Sequence, residues 1–346
     1  MANTLVISLQ GIGNALLALP LVEALHRAGD HTTLLALSPR LRPLVERAPM
    51  IDDFIAAGDA QYSGFAGRWR LLGELRHHRF DRAVFSFPSG KRAYLLARLA
   101  GIPQRIGHRY DEIGRGYRHL TQSFEPLRKG HDLEQNLQLA ESLGLEHRAA
   151  ELWPTLSVPD ELQQRARDYL AKNGLDPQAR YVGLHTGCDG RWIEKRWPEK
   201  YFSATAAAVY EQYGLPALVF DGPGEPGSGL KVKRLCKTPV HALDGWGDLA
   251  DAWGLLGCCD LFISNDSGLM NLAAACGVPT VAVFGPSQVH RTRPFGPHGR
   301  AVVTERTCAP CYGLGRYAGC PYEYNHCLTH LSPTRVTAAI DELMKR

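Results

Sequence analysis

No stretch of this 346-residue chain approaches the run of about 20 apolar residues that a membrane-spanning helix needs, because charges, glycine or proline interrupt every candidate. The first ten residues lack the basic n-region of a secretory signal and read as a first β-strand, so a cytoplasmic protein is expected. No G-x-x-x-x-G-K-S/T string occurs, which argues against P-loop chemistry. Gly11-Ile12-Gly13 lacks the third glycine of a dinucleotide fingerprint, Leu17 standing near its place, and the second strand runs into Ser38-Pro39 where an acid would hold a ribose. NAD binding is thereby disfavoured. The nine cysteines form an odd, irregularly spaced set, a poor disulfide framework that points to thiols or metal ligands. Net charge is low: 39 Lys or Arg against 35 Asp or Glu leaves +4, too little for a general nucleic-acid binder.

What is present is an ordinary globular composition, 45% hydrophobic and 21% charged, at a length that suits two domains. The small charge is unevenly spread. Between Arg76 and Arg118 ten cations face three acids, leaving the remainder slightly acidic. Such a segment is either a solvated helix face or a surface for an anionic partner, a phosphorylated glycan or membrane head groups.

Thr4 to Leu9 is a short apolar, β-rich run, followed by a glycine turn and a periodic helix to about Ala28. Strands at 32–37, 83–87 and near 105–107 continue the alternation of a parallel α/β sheet. Periodicity fades around Trp153-Pro154 and Val158-Pro159, which places a boundary between domains 1–155 and 156–346. The second half restarts with a strand at 181–185, a helix over 199–213, and strands at 216–220, 261–264 and 278–284. Two doubly wound parallel sheets in tandem would face each other across a cleft at the carboxyl ends of their strands.

The segment FISNDSGLMNLAAA, 262–275, ends a strand and offers Asn265, Asp266 and Ser267 as caps for an Ala- and Leu-rich helix. Free amides there, with Gly268 allowing close approach, suit a diphosphate; a well-capped buried helix is the alternative. His185-Thr186-Gly187 at a strand end and Lys195-Arg196-Trp197-Pro198 beyond it add a hydroxyl and a cation suited to phosphate oxygens.

Four strings taken together resemble glycosyltransferase family 9, the ADP-heptose:lipopolysaccharide heptosyltransferases and their relatives. They are GIGNALLALPLVEAL, Lys195-Arg196-Trp197-Pro198, SNDSG, and Gly277-Val278-Pro279 leading to Phe284-Gly285-Pro286. The resemblance implies a GT-B architecture of two Rossmann-like domains, with an acceptor bound by the first and a nucleotide-sugar donor, ADP-heptose favoured, by the second. It also implies a final helix, about 333–344, able to cross back onto the first domain, and an inverting transfer that needs no metal. Carried onto this chain, Lys195 stands near the donor phosphates, with Thr186 and Gly187 in the adjoining loop. Asp266, Ser267, Gly268 and Asn271 form the phosphate-binding turn, and Glu225 stands where a carboxylate could hold the ribose. Gly13, followed by Asn14, lies near the reacting sugar; by position alone in the basic loop of the first domain, His108, Arg109 and Asp111 are placed on the acceptor side.

Two positions depart from the family pattern. Asn14 replaces the Asp proposed as general base, and an amide cannot take the acceptor's proton, so Asp111 and Glu112, with His108 nearby, become candidate bases, and His131-Asp132 is a second possibility. Asn271 replaces a His. The leading expectation is an enzyme that moves a sugar, heptose first, onto lipopolysaccharide or a related anionic glycan or glycolipid, in peripheral contact with the inner membrane and without nucleic acid. Two other readings stay open: a nucleotide-sugar or glycan-binding protein with lost catalysis, and a glycosyltransferase acting on a protein side chain. Finally, Cys308, Cys311, Cys320 and Cys327 fall within twenty residues of a Gly- and Pro-rich loop, which favours a structural zinc or iron held by thiolates, His326 or His330 being able to replace one of them, over free thiols.

Overall fold

The computed structural model describes residues 2–145, 156–188, 192–222, 227–243, 247–313, 316–317, 319–320, 322 and 325–345. The chain divides into two units, 1–155 and 156–346. The first runs β1 (Asn3–Ser8), α1 (Ile12–Arg27), β2 (His31–Ala36), the single turn α2 (Arg42–Val45), β3 (Asp53–Ala56) and α3 (Gly64–His77). It continues with β4 (Arg82–Phe85), α4 (Lys91–Leu99), β5 (Gln104–His108), β6 (Gln122–Phe124) and α5 (Asp132–Ser142). Its strands are all parallel, in the order β3-β2-β1-β4-β5-β6.

The second unit opens with α6 (Asp160–Lys172), β7 (Tyr181–His185), α7 (Glu199–Tyr213), β8 (Ala217–Phe220), α8 (Ser228–Leu235), β9 (Val240–Leu243) and α9 (Leu249–Leu256). Then come β10 (Cys259–Asn265), α10 (Gly268–Ala275), β11 (Thr280–Phe284), α11 (Val289–Thr292), β12 (Gly299–Val303), α12 (His326–Thr329) and α13 (Pro333–Met344). Its parallel sheet has the order β12-β11-β10-β7-β8-β9. Each sheet is thus doubly wound, and the Rossmann-like pair expected from the sequence is what the chain adopts. The winding reverses between β1 and β4 in one sheet and between β7 and β10 in the other. At such a reversal the loops leaving the two strands diverge to opposite faces, opening a crevice at the carboxyl ends.

Helices cover both faces of a parallel sheet, so its inner strands are apolar throughout: Leu5 to Ile7 and Leu261 to Ile263 are fully buried. In the first unit α3 and α4 share one core cluster with β1, β2 and β4. In the second, Trp197, Phe202 and Val209 pack with Val336, Ile340 and Leu343 of α13. The apolar side of the final helix is therefore used within the core of the second unit. The Tyr213 hydroxyl adds a hydrogen bond to Asp341 at 2.6 Å.

Central strands fall within two residues of their sequence-based positions. The four that sequence periodicity misses, β3, β6, β9 and β12, are the outermost strands of the two sheets. Edge strands are short and half-covered, so they carry no long apolar run. Among the described residues no helix is long and apolar enough to cross a membrane.

Helices α6 and α9 approach closely at Gly254, where an added Cβ would lie 2.3 Å from the Leu162 carbonyl oxygen. Gly254→Ala is expected to destabilise the protein by about 1–3 kcal/mol, because backbone on both sides must move. Urea unfolding of the variant checks this; an unchanged midpoint would show the helices free to separate.

Candidate functional site

The second unit's crevice is built around the end of β10. Ser267 caps α10, its Oγ accepting the Met270 amide at 3.2 Å and lying 2.9 Å from His185 Nδ1 and 3.0 Å from Ser264 Oγ. The cap leaves the first amides of α10 without an intrahelical partner, next to Gly268, at the positive end of the helix dipole. Beside them Lys195 Nζ meets Asp266 Oδ2 at 2.6 Å, with both side chains largely buried. Asp266 Oδ1 in turn accepts the Thr292 hydroxyl at 3.3 Å, and the ammonium lies 4.9 Å from the Tyr312 ring centroid. Burial alone would lower the pKa of Lys195; the Asp266 charge and hydrogen bond more than offset it and raise it, so the lysine stays charged.

Asn265 joins these parts. Its Oδ1 accepts the Trp197 amide at 2.8 Å, and its Nδ2 donates to the carbonyls of Thr186 at 2.7 Å and Gly187 at 3.2 Å. One buried side chain thus fixes both loops that the sequence singled out. Trp197 is locked further by Nε1 donating to the Leu331 carbonyl at 2.9 Å. Thr186 is buried, with its Oγ1 2.7 Å from Ser228 Oγ at the start of α8. Asp221 accepts the Gly229 amide with both carboxylate oxygens, at 2.7 and 3.0 Å. Asn271 is buried in the first turns of α10, and its Oδ1 has no hydrogen-bond partner among the described residues. Glu225 lies outside the described residues.

In the first unit, Gly13 and Asn14 occupy the first turn of α1, half-buried, and no acid stands in that turn. A buried carboxamide again ties the neighbouring loop. Asn136 of α5 accepts the Phe87 amide at 2.6 Å and donates to the Leu17 carbonyl at 2.9 Å. Arg109 and Asp111 are exposed after β5, Arg109 in a 3.0 Å ion pair with Glu125. His108 is different. It is 1% exposed, packs edge-on to Phe87 and lies with Nε2 3.0 Å from Gln138 Oε1. Burial pushes its pKa down to about 4, so it is neutral, and its ring is part of the packing of the unit.

The family model for glycosyltransferase family 9 (heptosyltransferase) matches residues 68–320. The chain belongs to glycosyltransferase family 9. The transferase is 26% identical over 355 residues to lipopolysaccharide heptosyltransferase 2 of Escherichia coli K12, covering 98% of each chain. Its fold matches a family 9 glycosyl transferase of Veillonella parvula, with a TM-score of 0.82 at 22% identity over 99% of this chain and 97% of that one. It also matches E. coli ADP-heptose LPS heptosyltransferase II, with a TM-score of 0.74 at 24% identity over 99% and 98%. E. coli heptosyltransferase WaaC with ADP gives 0.70 at 15% identity over 99% of both chains.

In the transferase, Cys308 and Cys311 are exposed, Cys320 is half-buried and Cys327 buried, and no disulfide joins any of the nine cysteines. Burial and then the neighbouring thiols raise the pKa of Cys327 to about 11 and that of Cys311 above its usual value, so the four sulfurs lie close enough to feel one another. Among the described residues, however, no group of three or more His, Cys, Asp or Glu is placed to hold a metal ion. The expected thiolate cage is therefore not preformed there.

Sequence reasoning brought Thr186, Gly187, Lys195, Asp266, Ser267, Gly268 and Asn271 to one end of one sheet. It missed the parts played by Asn265 and Asn136. Asn265 adjoins the SNDSG string, and Asn136 interrupts the buried stripe of Leu133, Leu137 and Ala140, a polar residue where only a satisfied one can stand. Asn265→Ala removes three hydrogen bonds and is expected to lower stability by roughly 2–4 kcal/mol. Nucleotide binding should weaken along with it, measured by calorimetry beside thermal unfolding; retained stability with normal binding would relieve Asn265 of this role.

Proposed function

We propose that the transferase moves heptose from ADP-heptose to a hydroxyl of lipopolysaccharide or a related bacterial surface glycan, inverting the anomeric carbon and using no metal in the transfer. The observation that carries this reading is the buried Lys195–Asp266 pair at the open start of α10. An ammonium has three donors, so Lys195 can keep its bond to Asp266 and still reach diphosphate oxygens. Asp266, steadied by Thr292, fixes the cation in place before substrate arrives. The relative's name supports heptose and lipopolysaccharide, and the ADP in the WaaC structure supports the nucleotide.

In the step so assigned, the acceptor oxygen bonds to the anomeric carbon while the bond from that carbon to the diphosphate oxygen breaks, its electron pair leaving with the nucleotide. Lys195, Thr186 and the α10 amides near Ser267 and Gly268 receive the developing charge. Asn14 orients the acceptor hydroxyl beside Gly13, and Asp111, exposed after β5, takes the proton. Because Asn14 cannot act as base, stabilisation of the leaving group carries more of the rate here. Arg109 and the basic segment 76–118 meet an anionic glycan or glycolipid, and the enzyme works in the cytoplasm at the inner face of the membrane.

We also assign Cys308, Cys311, Cys320 and Cys327 to a structural zinc or iron, supported by their spacing and the mutual influence of their thiols. Elemental analysis of the native protein should then find about one such ion per chain, lost in Cys308→Ser with Cys311→Ser. Metal-free native protein would remove the assignment.

Lys195→Ala is expected to lower kcat/KM by about 10²–10³, since it removes the cation and leaves Asp266 facing the diphosphate. Mass spectrometry of the acceptor with a panel of nucleotide sugars reads both donor choice and rate. Wild-type turnover in the variant would overturn the site, and donor binding without any transfer would favour a binding protein.

A further inference from the structure

Helix α3 carries more apolar surface than solvation asks of it. Its inner side is complete, with Leu71, Leu72 and Leu75 buried in the cluster that also holds Ala93, Tyr94 and Ala97 of α4. Its outer side shows Phe65 at 78% exposure and Trp69 at 56%, one helical turn apart, with rings edge to face at 6.2 Å. Scattered exposed apolar residues are ordinary, but here the helix beside α3 carries a second exposed pair. Arg76 of α3 donates to the Leu99 carbonyl at 2.9 Å, holding the two helices side by side, and α4 turns Leu95 and Leu99 outward.

The exposed charges of these two helices have one sign. Arg68, Arg70, Arg76, Lys91, Arg92 and Arg98 are all exposed. The single acid on the two helices is Glu74, which accepts the hydroxyl of Tyr62. A second copy of the chain seated symmetrically on this face would set six cations against six, so self-association through it is opposed. A single-stranded nucleic acid would stack on flat aromatic faces, whereas Phe65 and Trp69 meet edge to face and Leu95 and Leu99 give a base nothing to stack on. An anionic bilayer meets both features at once, taking the aromatic rings and leucines at the head-group boundary and the guanidinium groups on lipid phosphates.

We propose that the outward face of α3 and α4 docks the transferase on an anionic phospholipid bilayer, with Phe65 and Trp69 entering the interface. The inference deepens the membrane association proposed above and rests on it. It assigns the docking to two aromatic residues that precede the basic segment seen in the sequence, and to cations on both sides of its start.

The test is co-flotation of the full chain with vesicles of phosphatidylcholine, with and without phosphatidylglycerol, in the absence of any acceptor. Wild type should bind the anionic vesicles about tenfold or more tightly than the neutral ones, and less so at high salt. Phe65→Ser with Trp69→Ser should lose about tenfold of that binding, while the melting temperature and ADP binding stay as in wild type. Arg68→Gln with Arg70→Gln should weaken binding to anionic vesicles alone. Equal binding of the aromatic variant, no preference for anionic lipid, or dimer formation abolished by the same substitutions would each overturn the docking face. The two proposals fail separately: vesicle binding by an enzyme that transfers no heptose leaves the docking face standing, and transfer to a water-soluble acceptor by a protein indifferent to vesicles leaves the transfer standing.

Discussion

The carboxamide of Asn265 is the bond on which the second unit's site depends. At the carboxyl end of a parallel sheet each strand stops and its loop leaves for one face or the other, so the backbone groups just past the ladder have no neighbouring strand to pair with. Asn265 supplies one acceptor and two donors at that place, and it uses them on Trp197, Thr186 and Gly187. An aspartate of the same shape would face two carbonyl oxygens with a carboxylate oxygen that has no proton to donate. The first unit solves the same problem with Asn136, which reaches from α5 to the loop after β4 and the turn of α1. Both sites are therefore rigid because a buried amide replaces the strand pairing that the doubly wound order takes away.

With the loops fixed, the electrostatics follow. Lys195 is buried, which would discharge it, and Asp266 beside it keeps it charged. Each partner makes the burial of the other tolerable, and the open amides of α10 add partial positive charge at no further desolvation. On the reading proposed above, the pair also accounts for a first turn with Asn14 in place of a carboxylate. A site that holds a cation and helix amides ready for a departing diphosphate acts on the leaving group, and needs less from proton removal.

The first unit separates its charges by face. His108 and Asn136 are interior and neutral, while the cations of α3 and α4 stand outside with almost no acid among them. The near-zero net charge of the whole chain conceals this arrangement, because acids elsewhere in the first unit offset part of it and the second unit is nearly neutral. Field and shape at one surface depend on which side of a helix the charges occupy, and that is set by helical period rather than by composition.

Much of this was legible in the chain itself. Alternating apolar strands and periodic helices determine two doubly wound sheets, and the Lys195 loop, the SNDSG helix start and the GIGN turn mark where chemistry gathers, because short-range spacing alone dictates strands, turns and caps. The edge strands β3, β6, β9 and β12 escaped, since their identity comes from a neighbour's free ladder and not from their own pattern. That His108 is interior, that Asn265 and Asn136 are clamps, and that the final helix packs within its own unit were decided only by tertiary structure. Those outcomes depend on which residues, far apart in sequence, come to compete for one buried space, and on whether each polar group there finds its partner.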